Sequence, residues 1–340
     1  MKSYTTRQLA CIMLSCESSI KKRYELYDST DRPQDLFRDY TQAHEIVRKL
    51  QELGAEAICI DDPEYPQELL HVDPPPLVLY CRGDVGLLAR EHKLAIVGTR
   101  RPTRYGREVT TLFVRELVQA DRVIVSGMAR GIDACAHRVC LGEGGRTIAV
   151  VATGVDLVYP AENKQLAEEV IANGLMISEY PPGTPPRAFR FPERNRIISG
   201  LVYGVLIPEA GLSSGSLITA DMAIDQGKEL YIVPGNILSP QSMGCNHKLK
   251  ELQGTIVTSP RDLLPTQSMP SQQREQMFQQ LSMEEHRILD ILRDEDKHFS
   301  EILEKSQLSV SELSALLTQM ELYGLITKAS GNYYGCVPQI

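Results

Sequence analysis

The sequence has no surplus of positive charge: 36 Lys and Arg face 44 Asp and Glu, a formal net charge of −8. Whole-molecule attraction to a polyanion is thereby excluded, and any nucleic-acid site must be a local patch. It also has no CxxC pair and no Cys/His cluster at metal-ligand spacing, although Cys11, Cys16, Cys59, Cys81, Cys135, Cys140, Cys245 and Cys336 are scattered through it. Free, buried thiols in a reducing compartment are expected, with no metal site and no cofactor. Long hydrophobic runs are missing too. Lys2 and Arg7 precede the apolar stretch Leu9 to Leu14, which is too short for a membrane span and lacks a cleavage site or lipoprotein-type box before Cys16. It reads as an amphipathic helix of a cytoplasmic protein with no membrane segment.

The 340 residues exceed the usual size of one domain, so two or three are expected. Residues 1–60 read as a small helical (SAM-like) domain, with apolar positions at Leu9, Ile12 and Met13 and again at Ile46, Val47 and Leu50. The proline-rich stretch from Asp61 to Leu77 reads as an extended crossing. From Leu94 the pattern becomes short apolar runs, each followed by a helical pattern: Leu94 to Val97, Val123 to Val125, Thr147 to Val151, Leu175 to Ile177, Val202 to Ile207, Leu230 to Val233 and Thr255 to Val257. Strands apolar on both faces that alternate with helices predict an α/β domain over 61–264, a doubly wound, Rossmann-like parallel sheet. Residues 265–280, rich in Gln, Pro, Ser and Met, read as a linker. Beyond it, helices at about Met283 to Leu292, Phe299 to Lys305 and Ser309 to Tyr323, then a hairpin turning at Ser330-Gly331-Asn332, predict a winged helix over 281–340. Ser309 and Glu312 have capping-box spacing.

In an open parallel sheet the ligand lies beyond the carboxyl ends of the strands. The first such loop is Gly98-Thr99-Arg100-Arg101-Pro102-Thr103-Arg104-Tyr105-Gly106, and the second is Ser126-Gly127-Met128-Ala129-Arg130-Gly131-Ile132-Asp133. Glycines at a helix start free backbone N–H groups for a phosphate. The first loop lacks GxGxxG and no loop contains GxxxxGK[ST], so the dinucleotide and triphosphatase fingerprints are absent. The loop Pro208 to Ala220 places Ser214, Gly215 and Ser216 at another helix start, where they either seat a second phosphate or cap the helix.

Between Arg90 and Arg138 ten basic residues face five acidic ones, and Arg187, Arg190, Arg194 and Arg196 face only Glu193. Guanidinium groups grip phosphate bidentately and keep their charge when partly buried, so arginine at these loops favours phosphate contact. Arg90, Lys93, Arg115 and Arg122 lie outside the loops and read as solvated surface. Tyr105, Tyr159, Tyr180, Phe189 and Phe191 alternate with these cations, and single-strand sites combine a positive groove with aromatic faces for base stacking. Tyr105 and Tyr159, in loops, suit stacking best. For Phe189 and Phe191 core packing stays an equal alternative.

The pieces Val97-Gly-Thr-Arg-Arg101, Val125-Ser-Gly-Met-Ala-Arg-Gly-Ile-Asp-Ala-Cys-Ala-His137, Tyr159-Pro-Ala-Glu-Asn163, Ser178-Glu-Tyr-Pro-Pro182, Phe191-Pro-Glu-Arg-Asn-Arg196, Ser214-Gly-Ser-Leu-Ile-Thr-Ala220 and Val233-Pro-Gly235, in this order, make the chain from about Asp61 to Leu264 resemble the DNA-processing protein A (DprA, also Smf) family. The resemblance implies a Rossmann-like domain that binds single-stranded DNA without catalysis, forms a homodimer, protects incoming DNA and helps load the RecA recombinase in natural transformation. It places the phosphate pocket on Gly98, Thr99, Arg100 and Arg101, with Ser126, Gly127, Lys164, Arg194, Asn195 and Arg196 nearby. Tyr105, Arg130, Gly131, Arg190, Ser214, Gly215 and Ser216 complete the candidate site. Two departures stand out. Residues 1–60 lack the paired helix-hairpin-helix glycines of some relatives. From Leu281 onward ten acidic residues face five basic ones and the third helix carries no cation, so this winged helix is expected to bind protein and not DNA.

Two other readings compete. The fold also hosts nucleotide-cleaving enzymes of the lysine-decarboxylase-like phosphoribohydrolase type, for which Asp133, Glu179, Glu209 or His137 would supply acid or base, although their PGGxGTxxE signature is absent. A transcription regulator with a ligand-sensing core is the second, and the cation-free third helix opposes it.

Overall fold

The computed structural model describes residues 3–264, 281–293, 295–322, 325–329 and 332–336. It divides into two compact units, Met1–Leu263 and Leu264–Ile340. The expected linker over 265–280 lies outside the described residues.

The first unit opens with α1 (Thr6–Leu14), α2 (Ile20–Asp28) and α3 (Thr41–Glu52), then enters β1 (Ala55–Cys59) and β2 (Val78–Gly83). There follow β3 (Lys93–Ile96), α4 (Arg104–Gln119), β4 (Val123–Ser126), α5 (Ile132–Gly142), β5 (Thr147–Val150), α6 (Lys164–Asn173), β6 (Leu175–Ser178), α7 (Arg190–Gly200), β7 (Gly204–Ile207), α8 (Ser216–Asp225), β8 (Glu229–Ile232), α9 (Met243–Lys250) and β9 (Thr255–Ile256). The nine strands form one sheet in the order β1-β2-β6-β5-β4-β3-β7-β8-β9. From β6 to β9 every pairing is parallel, whereas β1 and β2 run antiparallel at one edge. All seven expected parallel strands are present. Their side chains alternate between two cores: Ile148 and Val150 with Leu175 and Ile177 on one face, Ala149 and Val151 with Met176 on the other. This period of two is what a sheet covered on both sides requires.

The edge strands were not expected. Ala55-Glu-Ala-Ile-Cys59 is poor in β-branched residues and reads as a continuation of α3. The stop signal is Gly54 at φ +62°, a left-handed residue directly after the helix. Before β2 the triple proline 74–76 hides the apolar run Leu77 to Cys81, because proline is tolerated ahead of a strand although not inside one.

The expected boundary at residue 60 is also corrected. Leu9, Ile12, Leu14, Ile46 and Leu50 share one hydrophobic core with Cys59, Val78 and Tyr80 of the edge strands and with Leu166 and Val170 of α6. Polar contacts add to it: Ser15 Oγ lies 2.6 Å from the buried Tyr80 hydroxyl, Arg7 donates to Asp61 at 2.7 Å, and Gln8 to Asp62 at 2.7 Å. The helices are therefore a layer on the sheet and cannot bury their apolar faces alone.

In the second unit α10 (Met283–Ile291), α11 (Phe299–Ser306) and α12 (Val310–Leu322) pack around Ile288, Ile302, Leu313, Leu317 and Met320. A small sheet in the order β10-β12-β11 closes the unit, made of β10 (Lys297–His298), β11 (Ile326–Ala329) and β12 (Tyr333–Cys336). This is a winged helix in which β10 was not foreseen; the expected turn residues Ser330 and Gly331 and the helix end Tyr323 lie outside the described residues. The capping box is formed, with Glu312 N–H donating to Ser309 Oγ at 3.3 Å and Ser309 N–H to Glu312 at 3.0 Å. No helix among the described residues is long and apolar enough to cross a membrane.

Because the helical layer and sheet share one core, Tyr80→Phe, which deletes the buried contact to Ser15, should lower stability by about 1 kcal/mol. Calorimetry should show residues 1–263 melting in one transition in both proteins. A separate early transition, removed by deleting 1–52, would restore the independent domain.

Candidate phosphate-binding crevice

The strand order reverses between β3 and β7, and a crevice of about 1000 Å³ opens beyond their carboxyl ends, where doubly wound sheets place their ligands. Of the residues singled out from sequence, Gly98, Thr99, Arg100, Arg101, Arg194, Asn195, Ser214, Gly215 and Ser216 line it. So do Tyr159, Phe191, Arg187 and Thr219, together with Pro240 and Gln241 from the loop after β8 and Met243 at the start of α9. That last loop was missed, since it carries no charge and no aromatic to mark it.

Internal carboxylates set the loop geometry. Glu209, buried beyond β7, accepts from Thr103 N–H at 2.8 Å and from Thr103 Oγ at 2.6 Å at the start of α4, while its own carbonyl accepts from Thr99 N–H at 2.9 Å. Asp133, in the first turn of α5, accepts from Gly127 N–H at 3.2 Å. Burial raises the Asp133 carboxyl from its ordinary value; the Arg194 charge and backbone N–H groups of Ala129, Gly127 and Gly98 oppose that rise. The two loops cross closely, with Gly131 at φ +80°, where a Cβ would sit 2.2 Å from the Thr99 carbonyl oxygen. The expectation that both helix starts await a phosphate is corrected for α4 alone, where Glu209 already holds Thr103; no side chain caps α5, and Asp133 instead ties down the N–H of Gly127 in the loop before it. At the start of α8, Ser214 Oγ lies 2.7 Å from Ser216 Oγ and accepts from Ser216 N–H at 3.4 Å.

The arginines divide by burial. Arg100 and Arg101 are exposed, and Arg100 lies 5.8 Å from the Phe191 ring centroid, which is itself 5.5 Å from the Tyr159 ring. Arg194 and Arg196 are buried and do structural work. Arg194 Nη1 donates to the carbonyl of Gly127 at 2.6 Å and to that of Val150, and burial pulls its pKa down to about 10. Arg196 bonds both oxygens of Glu179 at 2.8 and 2.9 Å.

Other candidates are not gathered into the crevice. Ser126 is buried with its hydroxyl on the Ile96 carbonyl at 2.6 Å. Tyr105 donates to the Pro234 carbonyl at 2.7 Å. Arg190 lies over the Tyr180 ring, Arg130 pairs with Glu162 at 2.8 Å, and Lys164 is exposed at the start of α6. Sequence position alone cannot separate a guanidinium tied to carbonyls from one facing solvent, because both types sit in the same Arg-rich motifs.

The candidate acids and base are likewise engaged: Glu179 by Arg196, Glu209 by Thr103, Asp133 by backbone N–H groups. His137 is fully buried, with Nδ1 2.7 Å from Thr147 Oγ1, and burial lowers its pKa from 6.5 to about 3. The native state thus keeps the ring neutral while the unfolded chain takes up the proton below pH 6.5, so this stability is present at pH 7 and lost as pH falls toward 3. Between pH 7 and pH 4 the loss should be about 3 kcal/mol. Urea titrations of His137→Gln should show a loss smaller by that amount than the parent's; equal losses would mean that the ring is protonated in the native state.

A family model described as DNA recombination-mediator protein A matches residues 56–267, and one described as DprA winged helix domain matches 272–332. The DNA processing protein DprA of Bacillus subtilis is 42% identical over 205 residues, 60% of this chain and 69% of that protein. The X-ray structure of DprA from Streptococcus pneumoniae superposes with a TM-score of 0.64 at 34% identity, covering 76% of this chain and 92% of the other. DprA from Helicobacter pylori, whose structure describes a single-stranded DNA binding mode, gives 0.57 at 34% identity over 61% of this chain and 94% of the other. With its central fold and its winged helix both matched, the chain belongs to the DNA recombination-mediator protein A (DprA/Smf) family.

Proposed function

We propose that this chain binds single-stranded DNA in the crevice between β3 and β7 and performs no covalent chemistry on it. One observation carries the reading: Arg100 and Arg101 stand exposed at the crevice with no carboxylate in ion-pair range among the described residues, beside the Tyr159 and Phe191 rings. Exposed guanidiniums grip phosphate, and aromatic faces stack bases at about 1 to 3 kcal/mol each. The single-stranded DNA mode of the Helicobacter pylori relative supports the same ligand. A nucleotide-cleaving enzyme is the weaker reading, since each candidate acid already serves the fold.

Protection of incoming DNA and loading of RecA in natural transformation, in the cytoplasm, complete the proposal on the strength of family membership. A homodimer through the sheet domain is supported by the edge strand β9, where Ile256 and the neighbouring Leu252 are exposed apolar side chains. The winged helix is proposed to bind protein: the described part of α12 carries no Lys or Arg.

Fluorescence anisotropy with labelled oligo-dT tests the site. Single strands should bind more tightly than duplex of equal length, with affinity falling steeply as salt rises. Arg100→Ala with Arg101→Ala should cost about 3 kcal/mol, whereas Arg115→Ala with Arg122→Ala should change little; similar losses from both pairs would mean a diffuse field and no pocket. Deleting residues from Pro265 onward should leave the affinity unchanged or slightly higher. Duplex binding by the isolated segment 281–340 at moderate salt would overturn the protein-binding role.

A further inference from the structure

A second depression, of about 560 Å³, lies against the first loop and is lined by Arg100, Arg101, Arg107, Arg130 and Arg138, with Glu162 as its one acidic side chain. Arg100 and Arg101 line the crevice as well, so the two share a rim. Arg107 and Arg138 come from α4 and α5, which pack side by side under the loop. Glu162 is spent on Arg130, at 2.8 Å. Arg107 donates to the Pro102 carbonyl at 2.8 Å and Arg138 reaches Asn163 Oδ1 at 3.4 Å, both neutral acceptors. Glu108, next to Arg107 in sequence, is taken by Arg104 at 2.6 Å. Among the described residues, then, four of the five guanidiniums have no carboxylate in ion-pair range.

Cations gathered in one place without counter-charge repel one another, and in a protein with a net charge of −8 anions were available to neutralise them. A surface kept in that condition fits a polyanion that arrives from outside. Pairs elsewhere on α4 behave differently: Arg104 has Glu108 and Arg115 has Glu143 at 2.8 Å. Arginine, with its planar fork of donors, suits phosphate oxygens in particular.

We propose that this depression is a second phosphate seat, filled by the backbone of the same single strand after it leaves the crevice and crosses the Arg100-Arg101 rim, with Arg107 and Arg138 as the residues that hold it. The proposal rests on the crevice reading and adds a direction to it: the strand runs from the β3–β7 switch point out over the α4/α5 face. Phosphate held here comes from the strand, and a free polyphosphate is the competing source of the same chemistry.

The test uses the full chain and Arg107→Gln/Arg138→Gln, with Arg115→Gln/Arg122→Gln as the control for lost charge. Each is titrated across salt with a dT oligomer of about four nucleotides, enough for the crevice alone, and one of about fifteen, enough for both. On the longer oligomer the Arg107/Arg138 variant should bind about tenfold more weakly at low salt, and its log–log salt slope should fall by about 1.4, the release expected for two phosphate contacts on a single strand. On the shorter one it should match the parent. An equal loss on both lengths, the same loss in the control, or no loss at all would overturn the second seat while leaving the crevice standing. Failure of the parent to bind either oligomer would remove the crevice reading and this one with it. If inorganic pyrophosphate raises the parent's melting temperature, the variant abolishes that shift, and the length dependence is missing, the depression takes a free polyphosphate and the proposed strand path is wrong.

Discussion

Glu209 lies where the sheet changes direction, and its carboxylate ties the end of β7 to the start of α4 through the N–H and hydroxyl of Thr103. Charge-assisted bonds of this kind are about twice as strong as neutral ones, and here they sit at a helix end whose unpaired N–H groups favour negative charge. The neighbouring Gly106 leaves room for this carboxylate, since a Cβ there would lie 2.3 Å from it. Asp133 does the corresponding work for the second loop. With both loops tied down by internal carboxylates, the stretch from Gly98 to Thr103 is held while Arg100 and Arg101 stay exposed. In the proposed reading, ligand charge is then met by these guanidinium groups.

Partition of the arginines follows from the same constraint. Burying a guanidinium is costly unless its donors are used: Arg194 bonds the carbonyls of Gly127 and Val150, whereas Arg196 bonds Glu179 through Nη2 alone and leaves Nε and Nη1 without a partner among the described residues. They hold α7 against the carboxyl ends of β4, β5 and β6, which gives Phe191 and Asn195 their places on the crevice wall. Arg100 and Arg101 keep their solvent and their freedom to bind. One motif, Phe191 to Arg196, therefore supplies both lining and scaffold.

Much of this architecture was legible in the chain. Alternation of apolar runs with helical periods located every parallel strand; for β3 to β7 the reason is that a strand buried on both faces must be apolar throughout. The Gly98 to Arg101 and Ser214 to Ser216 loops were recognisable from small and basic residues directly after such runs. Less visible were features set by tertiary contact. β1 has a weak local preference and exists because β2 pairs with it; the N-terminal helices look like a domain until Tyr80 and Val78 are seen under them. Arg194 and Arg100 share their residue type and their arginine-rich surroundings, and only burial separates the one built into the fold from the one left exposed. Tyr105 failed as a crevice residue because its helix turns it toward Pro234.

On the proposed reading, the exposed arginines of the switch point, and not the protein's arginines at large, meet the strand. Modification with an arginine-selective dicarbonyl, followed by peptide mass mapping with and without a saturating dT oligomer, reads this residue by residue. Arg100 and Arg101 should react freely in the bare protein and be protected by the oligomer, Arg115 should react equally in both, and Arg194 and Arg196 should stay unreactive throughout. Protection of Arg115 equal to that of Arg100 and Arg101, or full reactivity of Arg100 and Arg101 in the complex, would contradict it.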